Sequence, residues 1–172
     1  MSCVLSSDFT LPCRRNKGGV QKVYITELAN TATLTVASGA ATTFTLDSGK
    51  QFFEYNLGMG GSSAQAVIGG DRAVQSRFYT HTVQIKLPKF ETAIRNEVLV
   101  LGQVNVQIIV LDENGVYMLY GGYRGLEISE GTGQTGTAST DLNGFNITFT
   151  GDELDLPIEI PSNLIATLTS PA

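Results

Sequence analysis

The chain contains a single histidine, His81, so any serine or cysteine nucleophile activated by an imidazole base would have to use it. His81 stands between Thr80 and Thr82 in an alternating polar and apolar stretch, with no acid or nucleophile motif beside it. That is the setting of a structural histidine. Metal sites built on several histidines are excluded by count. Asp152, Glu153 and Asp155 form the densest acidic cluster. Carboxylates that do acid–base work usually face one another across a cleft from separate elements. These three adjoin in a predicted turn, which reads as a solvated edge or a weak cation site. Their spacing lacks the alternating ligands and glycine of a calcium loop.

Three further patterns match by letter. Gly131-Thr132-Gly133-Gln134-Thr135-Gly136 fits the dinucleotide fingerprint, which needs a strand before it and a helix N-terminus after it to receive a pyrophosphate. Thr137 to Asp141 and then another predicted strand follow it, so the match reads as accidental. Asn146-Ile147-Thr148 is a glycosylation sequon inside a predicted strand. Cys3 and Cys13 are the two cysteines, too sparse for a zinc site on their own. The N-terminus lacks the basic flank and apolar core of a signal peptide, which predicts reduced thiols in a cytosol. The expectation is a protein that is not an enzyme, with no catalytic, cofactor-binding or metal-binding residues and no cofactor.

Bulk properties agree with a building or binding role. A length of 172 residues is one ordinary domain, long enough to bury a core without staples. Charged residues make up 16% of the chain, against about 25% in a typical globular domain. Few charges and 19 glycines suit a surface that is partly buried against copies of itself, and equally suit an ordinary all-β domain. A net charge of −5 argues against a grip on nucleic acid that neutralises phosphates. No apolar run is long enough to span a membrane.

The elements that would position these residues are mostly strands. Residues 1–19 read as a polar N-terminal arm, and 20–172 as a single β-domain. A first strand covers Val20 to Glu27, and a hairpin covers Thr31 to Ala37 and Ala41 to Leu46. A further strand spans Gln51 to Leu57. Residues 58–70 read as a long flexible loop. From Ala73 a long strand runs to Leu87, with Tyr79, His81, Val83, Ile85 and Leu87 on one face. Pro88 then opens a helix to Leu101, with Phe90, Ile94, Val98 and Leu101 as its apolar stripe and Gly102 as its stop. Val104 to Leu111 and Val116 to Tyr120 form a hairpin about Asn114-Gly115, both of which tolerate the positive φ of a tight primed turn. A short strand at Leu126 to Ser129, a second long loop at 131–141 and a strand at Gly144 to Thr150 follow. The tail from Gly151, with Pro157 and Pro161, reads as extended. Long loops of this kind tend to be functional, and here they could order on a neighbouring subunit.

The order long strand, Pro-led helix, strand, Asn-Gly hairpin resembles the core of bacteriophage tail tube (major tail) proteins and their contractile-injection relatives. Cys13-Arg14-Arg15-Asn16-Lys17-Gly18-Gly19-Val20 with Val23-Tyr24-Ile25 is similar to the start of structural proteins in phages of Bacteroides- and Flavobacterium-like hosts. Asp141 to Gly151 resembles their C-terminal strand motif, with Asp155-Leu156-Pro157 replacing its usual ending. The resemblance implies a mainly β fold, with two packed antiparallel sheets (sandwich- or barrel-like) flanked by one helix at about 88–101. It implies a virion structural protein, assembled in the host cytoplasm into stacked hexameric rings of a tail tube, with other phage tail proteins as partners. DNA would pass through the lumen without specific binding. The alternatives are a capsid decoration or other virion-surface module, and a carbohydrate-binding β-sandwich, for which Tyr117, Tyr120 and Tyr123 are the candidate aromatics.

Overall fold

In the computed structural model, residues 16–58 and 60–171 are described. The fold is mainly β, built from two packed sheets. Strands β1 (Val20–Glu27), β2 (Thr31–Ala37), β3 (Ala40–Leu46), β4 (Phe53–Asn56), β7 (Val106–Asp112), β8 (Tyr117–Tyr120) and β11 (Ile158–Glu159) form the large sheet, in the order β2-β3-β11-β8-β7-β1-β4. Strands β5 (Ser63–Gly69), β6 (Phe78–Pro88), β9 (Glu127–Gln134) and β10 (Gly144–Glu153) form the small sheet, in the order β5-β6-β10-β9. All pairs are antiparallel except β11 with β3, which run parallel. Helices α1 (Thr92–Leu101) and α2 (Ser162–Leu168) flank the sheets.

The strand pattern follows from which faces are buried. In β6 the alternation is clean: His81, Val83, Ile85 and Leu87 are buried, and Thr82, Gln84 and Lys86 are not. A strand with one covered face reads this way. In β7, Val106 to Leu111 are all buried, because Ile108 and Val110 enter the core between the sheets while Ile109 enters a second core behind the large sheet. The first core also takes Val23, Ile25, Ile147, Phe149 and Leu101. The second gathers Phe44, Phe52, Leu119 and Ile160 under Ile165 and Leu168 of α2. Buried Gln107 is fully used: its amide donates to Gly122 O at 2.9 Å and its carbonyl accepts from Thr31 Oγ1 at 2.6 Å.

Several expectations are corrected. The 58–70 loop is short, because Ser63 to Gly69 pair along the whole upper part of β6. The long strand begins at Phe78, since Asp71 to Gln75 form the turn that leads into it. Pro88 does not open the helix. It is the last residue of β6, paired with Gly144, and α1 starts at Thr92. Phe90 therefore lies outside α1 and stacks on Phe145 with ring centroids 4.7 Å apart, while Ile94, Val98 and Leu101 make the buried stripe. The 131–141 loop loses its first residues to β9, which extends to Gln134. β10 runs on to Glu153, and the tail beyond it carries β11 and α2 instead of lying extended. The Asn114-Gly115 hairpin exists, but only Gly115 takes a positive φ, of 85°. Its amide bonds Asp112 O at 3.2 Å and Asp112 N bonds Val116 O at 3.1 Å, the three-residue loop with a left-handed glycine.

Candidate functional site

His81 is built into the core. It is 2% exposed, and its ring meets Tyr120 edge-on at 5.4 Å. Nδ1 accepts the Gly121 N–H at 3.3 Å, which leaves Nε2 as the donor to Asp155 O at 3.0 Å. The neutral Nε2–H tautomer satisfies both bonds. A second proton on Nδ1 would face the Gly121 donor. Burial accordingly holds the imidazole below its usual pKa, against the opposing pull of Glu153 and the Asp155 carbonyl and carboxylate. Both ring nitrogens are committed to backbone, so the ring has no free atom to offer a substrate.

The acidic cluster is dispersed. Glu153 is 2% exposed, not solvated as expected from the sequence. Its carboxylate receives the N–H groups of Tyr123, Arg124 and Gly125 at 2.9–3.3 Å, tying the end of β10 to the loop that leaves β8. Asp152, on the opposite face of β10, accepts from Thr80 Oγ1 at 2.7 Å. Asp155 offers its backbone carbonyl to His81. Among the described residues no three of His, Cys, Asp and Glu are grouped so as to hold a metal ion.

The glycine pattern 131–136 ends a strand and leads through a turn to β10, with no helix after it. Gly133 serves packing: a Cβ there would meet Phe90 at 2.8 Å and Phe145 at 2.9 Å. Asn146 and Thr148 lie on the outer face of β10, paired with Lys86 and Gln84. The three tyrosines do not share a platform. Tyr117 packs on Tyr24 at the second core, Tyr120 is buried in the first, and Tyr123 is exposed. Cys3 and Cys13 lie outside the described residues.

What remains open is the small sheet. Its inner face makes the core, and its outer face carries Gln65, Thr80, Thr82, Gln84, Asn146, Thr148, Thr150 and Thr132, mostly hydroxyls and amides, with Val67 and Phe78 as exposed apolar members toward the β5–β6 turn. Lys86 is the cation there, against Glu127, Glu130 and Asp152. The sequence pattern held this face in the alternation of β6, but β5 and most of β9 were invisible in it.

The four sheet edges differ in how they are guarded. Edge strands are blunted by shortness, charge, proline or bulges. β4 has four residues and an ion pair, Lys22 with Glu54 at 2.9 Å. β2 is interrupted by two register shifts against β3, which twist an edge away. β9 carries Glu127 and Glu130 and one register shift. β5 has none of these devices: seven residues, Ser-Ala-Gln-Ala-Val-Ile-Gly, without charge or proline, paired to β6 in unbroken register. Among the described residues no helix is long and apolar enough to cross a membrane. Compared with protein-family models, with curated proteins and with solved structures, the chain matches none.

Proposed function

We propose that this chain is a self-assembling structural protein of a virion, forming rings that stack into a bacteriophage tail tube, and that it is not an enzyme. The observation that carries the reading is the unguarded edge β5. An edge of this kind is a template for pairing with another chain. Strands β5 and β10 run one way in the small sheet and β6 and β9 the other. Rotation about an axis along the strands keeps those directions. The guards on β9 lie in its first half, and Gly131 to Gln134 are uncharged and in unbroken register with β10. That second half of β9 in one copy, beside β5 of the next, therefore continues the antiparallel alternation, and the small sheets join into one closed surface.

Six four-stranded sheets, at about 4.8 Å per strand, would close a cylinder roughly 37 Å across at the backbone. The polar, net-acidic outer face would line it, and such a lining does not grip the phosphates of DNA passing through. The order long strand, helix, strand and Asn-Gly hairpin, which stands although Pro88 ends β6 and does not lead the helix, supports the same assignment through the resemblance. Negative-stain electron microscopy of the purified full chain at high concentration is the test. Rings or tubes are expected. A monomer at every concentration would sink the reading and leave a module that binds a virion surface singly.

A further inference from the structure

Two surfaces at separate places on the molecule complement each other. The first is the turn that joins β5 to β6. Residues 70–77 extend beyond Glu153, whose partner Tyr79 is the last residue of β6 paired to β10. This tip exposes Ile68 (58%), Val74 (70%) and Phe78 (44%). It is ordered by its own bonds: Asp71 Oδ1 accepts from Ala73 N at 2.7 Å, Ser76 Oγ from Asp71 N at 3.0 Å, and Asp71 O from Ser76 N at 3.0 Å. The Phe78 ring lies over the backbone of Gly69. Arg72 and Arg77 flank the apolar crest, and neither makes an ion pair among the described residues.

The second surface is a groove of about 450 Å³ between the C-terminal half of α1 and the β1–β4 edge of the large sheet. Phe53 (57% exposed), Tyr55, Val100 (55% exposed) and Val104 form its apolar walls, and Glu27 and Glu97 give it a negative rim. No tip residue lines this groove within one subunit. β6 separates the tip from the turn into α1 by eleven residues, about 35 Å of extended chain.

We propose that the tip of one copy seats in the α1–β4 groove of the next, with Arg72 and Arg77 toward Glu27 and Glu97. This rests on the self-assembly reading above and gives it a second, independent contact. An apolar protrusion bearing two cations fits an apolar groove bearing two carboxylates, and charge complementarity fixes register and suppresses wrong pairings. The contact is heterologous, since one patch meets a different patch, so it does not close on two copies. Edge-to-edge pairing of small sheets widens a ring. Tip-to-groove seating propagates away from it.

The test uses the full chain and two variants on exposed side chains, Val74→Asp in the tip and Val100→Asp in the groove, followed by light scattering against concentration. Wild type is expected to grow with concentration, and each variant to stop at a lower limiting mass. A 1:1 mixture of the two is expected to grow heavier than either variant alone, because the intact tips of one meet the intact grooves of the other. Should either variant melt earlier than wild type, Arg72→Glu with Arg77→Glu repeats the tip test on exposed side chains that form no ion pair among the described residues. Either variant growing like wild type, or a mixture no heavier than its parts, overturns the tip-to-groove contact while leaving assembly standing. A wild type that never grows overturns the assembly reading itself.

Discussion

The centre of the large sheet is covered on both faces, by the small sheet on one side and by α2 with the β10–α2 segment on the other. Among the described residues the small sheet is covered on one face only, and none of them covers its outer face or its β5 edge. The same strand type therefore does two jobs. Where both faces are buried, as in β7, each residue contributes to stability. Where one face is open, alternate residues are released from that task, and a sequence can place hydroxyls, amides and carboxylates there at little cost. The large sheet is scaffold, and the small sheet is the part whose surface composition is free to serve a partner.

That division is tested most strongly within β10. Phe149 is fully buried between the sheets, and its neighbour Thr148 faces outward. Phe149→Ala is expected to cost about 4 kcal/mol, and Thr148→Ala less than about 0.5 kcal/mol, read as urea midpoints at constant m-value. Comparable losses would break the distinction between the faces. The next largest effect is at the seam between the sheets. Glu153→Ala strips the acceptor from the part-buried Tyr123 and Arg124 amides and the buried Gly125 amide, and the orphaned donors make this worth about 3 kcal/mol. Hydrogen exchange should show those three amides losing protection before the core of β7 does.

How much of this was legible beforehand depended on the same contrast. Strands that own a strong pattern were readable: β1 and β2 match to the residue, and β6 showed its buried face through Tyr79 to Leu87. β5 was not readable, because Ser-Ala-Gln-Ala-Val-Ile-Gly between glycines has weak strand preference and becomes a strand only when β6 supplies a partner. β9 was cut short for the same reason: Gly131 and Gly133 weaken its strand preference, and of the two only Gly133 is required by the Phe90–Phe145 stack. α2 has seven residues, fewer than periodicity can resolve, and its apolar residues matter only because the second core lies beneath them. His81 was correctly placed on the buried face. The Glu153 anchor was missed, since nothing local to Asp152-Glu153 announces that the 123–125 amides point at it.

A smaller effect follows from His81. Its folded pKa lies below the usual value through burial, whereas the unfolded chain carries an imidazole near about 6.5. As pH falls below that value the unfolded state takes up the proton first, so stability declines toward the folded pKa. Above about pH 7 both states are neutral and the term vanishes. The thermal midpoint of wild type should therefore drop between pH 7 and 5. His81→Gln, although less stable throughout, should show a flatter profile in that window. A slope unchanged in the variant would assign the acid sensitivity to other groups.

The smallest expected change in stability carries the sharpest comparison between the two sheets. Gln65 on β5 and Thr35 on β2 are both exposed, uncharged positions on edge strands, and Lys at either should shift the unfolding midpoint by less than about 0.5 kcal/mol. Their effect on assembly should differ. β2 is already interrupted by register shifts, so Thr35→Lys blunts an edge that is not in use, and scattering mass should match wild type. β5 pairs with β6 in unbroken register, so Gln65→Lys places a solvated ammonium where a neighbouring strand would pair, and association should weaken at least tenfold. Equal weakening by both substitutions would point to general charge repulsion, and weakening by Thr35→Lys alone would move the assembly edge from the small sheet to the large one.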